Sequence, residues 1–212
     1  MSFIKDLFKR REFLNPSIFN DETAERTSWH PLKRGGANFR THKISDIEGF
    51  EISFVPTMLA YLMPLIFSFS GLIPLYMYFT DDALRENISG FMYVIPFIPM
   101  VMGVVLFKKF TKKIVFSGTE GLFYKGRKPE MPPTKGSKNF ALLSDIYALQ
   151  IIRERVRSSK SSYNSFELNL VLKNGDRLNV IDHGNLKRLR EDATKLAEFL
   201  KVPVWDASEY RV

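Results

Sequence analysis

Residues 55–79 read VPTMLAYLMPLIFSFSGLIPLYMYF and lie within a charge-free stretch that extends from position 52 to position 80. A second charge-free run, NISGFMYVIPFIPMVMGVVLF, occupies residues 87–107. A helix of about 20 apolar residues crosses the hydrocarbon core of a bilayer, and both runs reach that length. The sequence therefore predicts two membrane-spanning helices, at 55–79 and 87–107, in a transmembrane hairpin that occupies residues 51–110.

The charges that flank these runs predict the orientation of the hairpin. The short connection at 81–86 (DDALRE) contains a single basic residue, Arg85. The second run is followed at once by four lysines, Lys108, Lys109, Lys112 and Lys113. Because Lys and Arg stay on the cytoplasmic side of membrane proteins, we expect both termini in the cytoplasm and a multi-pass location in a bacterial inner (cytoplasmic) membrane.

Four prolines interrupt the predicted spans: Pro64, Pro74, Pro96 and Pro99. Each removes a helix hydrogen bond, so kinks are expected near them. Neither span contains a charged residue that would bind or relay an ion. We therefore interpret the spans as kinked anchors that pack on each other or on a partner.

Composition restricts the chemistry that the chain can perform. The absence of cysteine excludes a disulfide framework, a thiolate metal site and a cysteine nucleophile. With three histidines, a histidine-rich metal site is not expected. Of the net charge of +8, the 81–86 connection carries −2 and the remainder +10. This distribution is explained by membrane orientation, and we do not predict nucleic acid as a partner.

Residues 1–50 are predicted to form a cytoplasmic N-terminal segment. Phe3, Ile4, Leu7 and Phe8 recur at helical spacing beside basic residues, which indicates an amphipathic helix that lies on anionic lipid or docks on the protein's own domain. Further on comes a dense patch of aromatic, basic, glycine and histidine residues: Trp29, His30, Gly35, Gly36, Asn38, Phe39, Arg40 and His42. The Gly-Gly pair permits positive φ or close backbone approach. The patch lacks the context of a phosphate loop, so we predict a docking surface rather than a catalytic site.

Residues 111–212 have the pattern of a cytoplasmic antiparallel β domain. Residues 113–117 and 122–125 flank a turn, residues 146–155 form an apolar run typical of an inner strand, and residues 166–172 alternate at period two, as in a half-buried strand. Asn174-Gly175 then predicts a type I′ hairpin turn. After a cap by Asn185 or Asp182, one apolar stripe predicts a terminal helix that packs on the sheet: Leu186, Leu189, Ala193, Leu196 and Leu200.

Two stretches, LSDIYALQI at 143–151 and LAEFLKVPV at 196–204, carry a resemblance to known proteins. Meander strands followed by one amphipathic helix resemble the pleckstrin-homology-like (PH-like) domains of bacterial membrane proteins, and the layout is similar to that of the photosystem I assembly protein family. The resemblance implies an α+β membrane protein, with a two-helix transmembrane hairpin and a cytoplasmic PH-like β domain closed by a C-terminal helix. It also implies an assembly or scaffold role, and it transfers no functional residue.

We predict no enzymatic activity and no cofactor. The chain contains no catalytic, phosphate-loop or dinucleotide motif, and Asp182-His183 lies in a strand-to-helix turn where such residues cap helices. The basic residues are candidate contacts for anionic lipid headgroups or a partner, the alternative being a solvated face that only sets topology. These candidates are Lys108, Lys109, Lys112, Lys113, Lys125, Arg127, Lys128, Arg153, Arg155 and Arg157.

These observations together predict a non-enzymatic inner-membrane protein that presents its PH-like domain as a scaffold or assembly factor for a membrane complex. Its expected partners are the lipid bilayer itself, a protein in the membrane, and anionic lipid headgroups. Two alternatives remain open at this stage. One is an immunity protein against a membrane-active toxin, and the other is an accessory subunit of a transporter or membrane enzyme.

Overall fold

The computed structural model describes residues 12–45, 50–87, 89–130, 137–157 and 161–212. The predicted amphipathic helix around Phe3 and Phe8 lies outside these ranges. Within them, the chain is a mixed α+β structure with two apolar helical segments and two largely antiparallel sheets. The mixed class and the antiparallel sheets predicted from the sequence are therefore confirmed.

The helices and strands of the described residues are numbered in chain order. The helices are α1 (Glu22–Arg26), α2 (Met58–Ser70), α3 (Leu72–Thr80), α4 (Asp82–Asn87), α5 (Phe97–Phe110) and α6 (Leu186–Leu200). The strands are β1 (His42–Ile44), β2 (Glu51–Pro56), β3 (Ile114–Ser117), β4 (Leu122–Lys125), β5 (Phe140–Leu142), β6 (Ile146–Arg157), β7 (Ser162–Leu172), β8 (Arg177–His183) and β9 (Val204–Asp206).

The two apolar runs form helical segments, Met58–Thr80 and Met92–Phe110, that are long and apolar enough to cross a membrane. Their mean hydropathy values are 1.8 and 1.6. The helical segments begin and end at other residues than the predicted spans do. Residues 55 and 56 extend β2, because they pair with β1, and the second segment begins five residues after the predicted start and continues through the lysines at 108 and 109.

The helix breaks fall close to three of the four prolines. Helices α2 and α3 meet at Gly71, and Pro74 lies in the first turn of α3. In the second segment, a 3₁₀ turn at Gly90–Val94 precedes Pro96, which immediately precedes α5, and Pro99 lies in the first turn of that helix. Pro64 lies inside α2 without ending it. A proline is compatible with the first turn of a helix because that amide has no intrahelical acceptor, which explains why the new helices begin at these positions.

Small residues allow α2 and α5 to pack closely. A Cβ atom on Gly103 of α5 would lie only 2.7 Å from the Pro64 carbonyl oxygen and from the Ser68 amide nitrogen of α2. On the outer surface the apolar side chains have no protein neighbours to cover them, as at Ile66 and Val101, which are 62% and 63% exposed. The hairpin is thus tightly packed inside and apolar outside, as small-residue helix interfaces in bilayers are.

The hairpin is an insertion between two neighbouring strands of one sheet. The first sheet has the order β1-β2-β3-β4-β5, with every pair antiparallel. In it, Phe54 of β2 lies opposite Ile114 of β3. Strand β1 was predicted in the N-terminal segment and β2 in the hairpin, but both belong to the same sheet as β3, β4 and β5.

The second sheet, of order β8-β7-β6-β9, is antiparallel except where β9 runs parallel to β6. One core lies between the sheets and α6, whose predicted stripe is confirmed by the burial of Leu189, Ala193 and Leu196. Of the two predicted caps, Asn185 is the one observed: its side chain accepts a hydrogen bond from the Arg188 amide at 3.1 Å, whereas Asp182 lies in β8. The predicted pairing of β3 with β4 is confirmed too.

Two local predictions in β7 and its turn were wrong. Glu167 and Asn169, expected on the solvent side of a half-buried strand, are fully buried, because the N-terminal segment covers that face. The hairpin from β7 to β8 is present, but Asn174 lacks the positive φ that a type I′ turn requires, and only Gly175 has it, at 84°. The Leu172 amide donates to the Asp176 carbonyl at 2.8 Å, which leaves a three-residue loop at 173–175.

We predict that Gly103→Val loosens the hairpin, because the new side chain would overlap α2 at Pro64 and Ser68. Overpacking of this kind costs about 1–3 kcal/mol. Thermal unfolding of the detergent-solubilised protein, followed by circular dichroism, should show a lower midpoint. The matched control is Gly90→Val, since a Cβ at Gly90 would meet nothing within 4 Å. An equal loss in both variants would contradict close packing at Gly103.

Candidate functional site

A cavity of about 760 Å³ lies where the end of α5 meets the two sheets. Its walls come from the loop at 32–42, the segment 109–114, the end of β4, the residues just before β5, Tyr163 of β7, and strand β8. Among the described residues that line it, the basic side chains are Lys33, Lys109, Lys112, Lys125, Lys138 and Arg177. Among these same described residues, Asp182 contributes the carboxylate. The cavity is therefore strongly cationic.

Lys125 is one of the two cations of this group that are partly buried rather than exposed, Arg177 being the other. It is the last residue of β4, its side chain is largely buried, and its Nζ donates to Asn179 Oδ1 of β8 at 3.4 Å. Asn179 in turn donates from Nδ2 to Asp182 Oδ1 at 2.9 Å, and the other oxygen of Asp182 lies 3.9 Å from Lys33 Nζ. A chain of polar contacts thus connects β4 and β8 to the loop that carries Lys33.

Burial and the positive charge of Lys33 lower the pKa of Lys125 to about 7. Asp182 and Glu167 oppose the shift, and Lys112 adds to it. An ordinary lysine titrates near pH 10.4, so this ammonium group is unusually easy to deprotonate. The free cavity therefore holds a lysine that is partly neutral near pH 7.

Two carboxylates hold the loop that forms one wall of the cavity. Glu167 of β7 accepts hydrogen bonds from the amides of Leu32 and Lys33, at 2.9 and 2.7 Å. Glu154 of β6 accepts from the amide of Gly35 at 3.0 Å and also from the next amide. Burial raises the pKa of Glu167. Because both carboxylates bind backbone amides, their oxygens are occupied in the wall and do not approach the lysine side chains as ion-pair partners.

Each glycine of the Gly-Gly pair has one of the two properties that the sequence suggested. Gly35 adopts a positive φ of 75°. Gly36 approaches β7 so closely that a Cβ would lie 2.9 Å from Ser165 Cβ. Tyr163 of β7 donates from its hydroxyl to the Gly36 carbonyl at 3.0 Å. The loop is therefore fixed against the sheet.

The rest of the predicted docking patch contacts the chain's own domain. Trp29 is buried, stacks on Phe19 with ring centroids 5.0 Å apart, and lies 6.1 Å from the ring of Trp205. Arg40 forms an ion pair with Asp192 of α6 at 2.8 Å. Other members line the cavity, namely Gly35, Gly36, Asn38, Phe39 and His42. His30 is exposed, although its carbonyl accepts from Arg177 at 3.0 Å.

The structure brings three of the ten predicted basic contacts to the cavity: Lys109, Lys112 and Lys125. Three others have acidic partners elsewhere, since Lys113 pairs with Glu51, Arg127 with Glu130 and Lys128 with Glu120. The remaining four are not lining residues: Lys108, Arg153, Arg155 and Arg157.

Sequence reasoning did not select Lys33, Lys138 or Arg177. The alternation of Arg177 and Asn179 in β8 places them on one face of that strand. This alternation was the signal present in the sequence, but it does not show which residues lie opposite that face of β8.

The histidines do not form a catalytic or metal-binding group in the described part of the chain. His183 is fully buried, and its Nδ1 accepts from the Asn185 amide at 2.9 Å. Burial and the neighbouring Arg40 lower its pKa to about 4. His42 Nε2 donates to the Lys112 carbonyl at 2.9 Å, and burial lowers its pKa. Across the described ranges, no group of three or more His, Cys, Asp or Glu side chains is placed to hold a metal ion.

The arrangement is suited to the binding of a negatively charged group, because the described lining of the cavity is mainly cationic. Asp182 directs its carboxylate to Asn179 instead of to His183. The cavity combines cations with apolar side chains at the end of an apolar helix. Comparison of the chain with protein-family models, with curated proteins and with solved structures gave no match.

We predict that Lys125→Met stabilises the protein in a buffer without polyvalent anions. Folding depresses the pKa of Lys125, so the unfolded state binds more protons between about pH 7 and pH 10. The penalty is therefore fully present below pH 7 and shrinks as the pH rises towards 10.

Its removal should raise the free energy of unfolding by at most about 5 kcal/mol at pH 6, and by less at pH 9. Thermal unfolding in detergent at the two pH values measures this difference. Lys195→Met, on the exposed face of α6, is the control and should change little. A lower midpoint for Lys125→Met at the acidic pH would contradict the buried-cation interpretation.

Proposed function

We propose that this chain is a two-span inner-membrane protein whose cytoplasmic domain is a scaffold or assembly factor for a membrane complex. Support for the membrane location comes from the two apolar helical segments and from their exposed outer surfaces. Support for the orientation comes from the lysines at the end of α5, on the side of the sheets, whereas Arg85 is the basic residue of the opposite connection. Both termini then lie in the cytoplasm.

The observation that carries the proposal is the insertion of the hairpin between β2 and β3. Strand β2 ends at Pro56 and α2 begins at Met58, while α5 ends at Phe110 and β3 begins at Ile114. Two short connections therefore join the domain to the hairpin. A domain tethered at two points has less rotational freedom than one on a single linker, and it presents a constant face to the membrane.

Side-chain contacts reinforce this junction. The Thr57 hydroxyl donates to the Arg40 carbonyl at 2.6 Å. The rings of Phe39 and Phe110 pack edge to face with centroids 6.0 Å apart. A domain held in this way has a high effective concentration towards partners in the same membrane, which is the physical basis that we propose for a scaffold role.

We further propose that the domain is a variant of the PH-like fold. In support, antiparallel strands precede one terminal helix, and that helix packs its apolar stripe into the core between the sheets. The chain adds two features to this plan. Strand β9 runs parallel to β6 after the helix, and the N-terminal segment covers the outer face of the second sheet.

The orientation is tested by cysteine labelling, because the chain has no cysteine of its own. We predict that an impermeant maleimide added to spheroplasts labels Asp82→Cys, in the connection between the spans. It should label Ser144→Cys, an exposed position of the domain, only after permeabilisation. The reverse pattern would contradict cytoplasmic termini, and labelling of both sites in intact spheroplasts would contradict the membrane hairpin.

The scaffold role is tested by comparing membrane complexes with and without the chain. We predict that deletion of the gene lowers the amount of at least one membrane complex in native gels analysed by mass spectrometry. The full chain should restore that complex. A soluble version, in which a short Asn-Gly turn replaces residues 57–111, should fold but should not restore it.

The soluble version is a fair control because Pro56 and Lys112 become neighbours when the β2–β3 register is extended. Its folding is checked by circular dichroism. Unchanged complexes after deletion would contradict the scaffold proposal. Full restoration by the soluble version would show that membrane attachment is not needed for the role.

A further inference from the structure

We propose that the cationic cavity at the end of α5 is a binding site for a phosphate-bearing anion, with Lys125 as its central cation. The inference goes beyond the scaffold role, because it assigns a ligand class to a particular site. It stands on the geometry of the cavity, on its charge and on the commitment of the nearby carboxylates to other partners.

Among the described residues, the lining of the cavity carries more positive than negative charge. Six basic side chains and one carboxylate line it among the described residues. The groups that face Lys125 are Lys33, Lys112, His42, Asp182 and Glu167. Glu167 is occupied by two backbone amides, and Asp182 already accepts from Asn179 and lies near Lys33. Buried charges are normally paired, so the lining of this cavity is suited to an anionic ligand.

The cations of the cavity differ in how far the protein itself already supplies their hydrogen-bond or ion-pair partners. Arg177 donates to Gln150 Oε1 and to the His30 carbonyl, both at 3.0 Å. Lys33 lies 3.9 Å from Asp182. Lys125 has the Asn179 amide oxygen as its hydrogen-bond partner, and a neutral oxygen does not compensate its charge. An anion in the cavity would supply that compensation.

The size and the apolar surface of the cavity indicate more than a bare anion. A volume of about 760 Å³ is in the usual range of sites for small organic ligands. Apolar side chains line part of the wall: Leu32, Phe39, Phe110, Ile114 and Val180. The ligand class that fits both features is a phosphate group attached to an organic moiety.

Two sources supply that chemistry, a phospholipid headgroup and a free phosphorylated compound. Lys109 and Phe110 belong to the last turn of α5, and Lys112 follows it directly. If the hairpin spans the membrane, this position is at the headgroup level of the cytoplasmic leaflet. The lipid source therefore rests on the proposed membrane location, whereas the free-anion source does not.

Binding should be coupled to the protonation of Lys125. The pKa of this lysine is about 7 in the free cavity, and a bound anion raises it by favouring the charged form. Above about pH 7, binding must take up a proton, so the affinity should fall by up to tenfold per pH unit. Sulfate is the suitable probe for this profile, because its own charge is constant across that range.

The first experiment uses the full chain in a non-ionic detergent. Isothermal titration with sulfate, inorganic phosphate and pyrophosphate measures the affinities of the wild type and of three variants. Lys125→Met should weaken binding at least tenfold and abolish the pH dependence for sulfate. Lys33→Met should weaken binding less, and Lys195→Met should leave it unchanged. Because Lys125→Met is expected to be more stable than the wild type, its loss of binding would not reflect unfolding.

The second experiment identifies the source. The chain is placed in nanodiscs of phosphatidylcholine alone or with about 30% phosphatidylglycerol, a fraction that gives an anionic surface. A higher unfolding midpoint in the anionic discs that is lost in Lys125→Met, together with competition by pyrophosphate, would identify a lipid headgroup. Anion binding in detergent with equal midpoints in both discs would identify a free phosphorylated ligand.

The proposal is overturned if none of the three anions binds and the midpoints in the two discs are equal. It is also overturned if Lys125→Met and Lys195→Met bind every anion as the wild type does, since the attraction would then be a property of the whole basic surface. Neither result depends on the fate of membrane complexes. A failure of the scaffold proposal can therefore be distinguished from a failure of this one.

Discussion

Strands β2 and β3 lie side by side in one sheet, although the entire apolar hairpin separates them in the chain. This pairing depends on the close approach of α2 and α5 at Gly103, because two packed helices return the chain to the point from which it left. Packing between the two helices thereby offsets part of the entropy cost of closing so long a connection, so strand pairing does not have to offset all of it. The junction then fixes the end of α5 beside β4 and β8, and the cavity exists because these elements converge there.

The second determinant of the site is the N-terminal segment, which covers the outer face of the second sheet. Its aromatic cluster at Phe19, Trp29 and Trp205 anchors it, and the loop that follows is held by Glu154 and Glu167. A buried carboxylate is tolerated when several hydrogen bonds satisfy it. Here those bonds come from backbone amides, so the two carboxylates order the loop at residues 32–36.

The sequence predicted those features that depend on local pattern. Apolar runs, the Asn174-Gly175 turn region and the α6 stripe are each determined by residues close in the chain, and they appear nearly where expected. Features that depend on distant partners were missed. The alternation in β7 predicted an exposed face, but the burial of Glu167 results from a segment more than a hundred positions away. Of the cavity, Lys109, Lys112 and Lys125 were among the candidates, whereas Lys33 and Arg177 became neighbours only through the fold.

The insertion also has a consequence for biosynthesis. Strands β1 and β2 leave the ribosome before the hairpin, and their partner β3 leaves after it, so the first sheet cannot close until both apolar helices have been made. Unpaired strands are prone to pair with other chains, and the three-residue length of β1 reduces that risk. The second sheet and α6 follow in a continuous stretch of chain. The domain is therefore completed only after the hairpin has been synthesised and has folded back on itself.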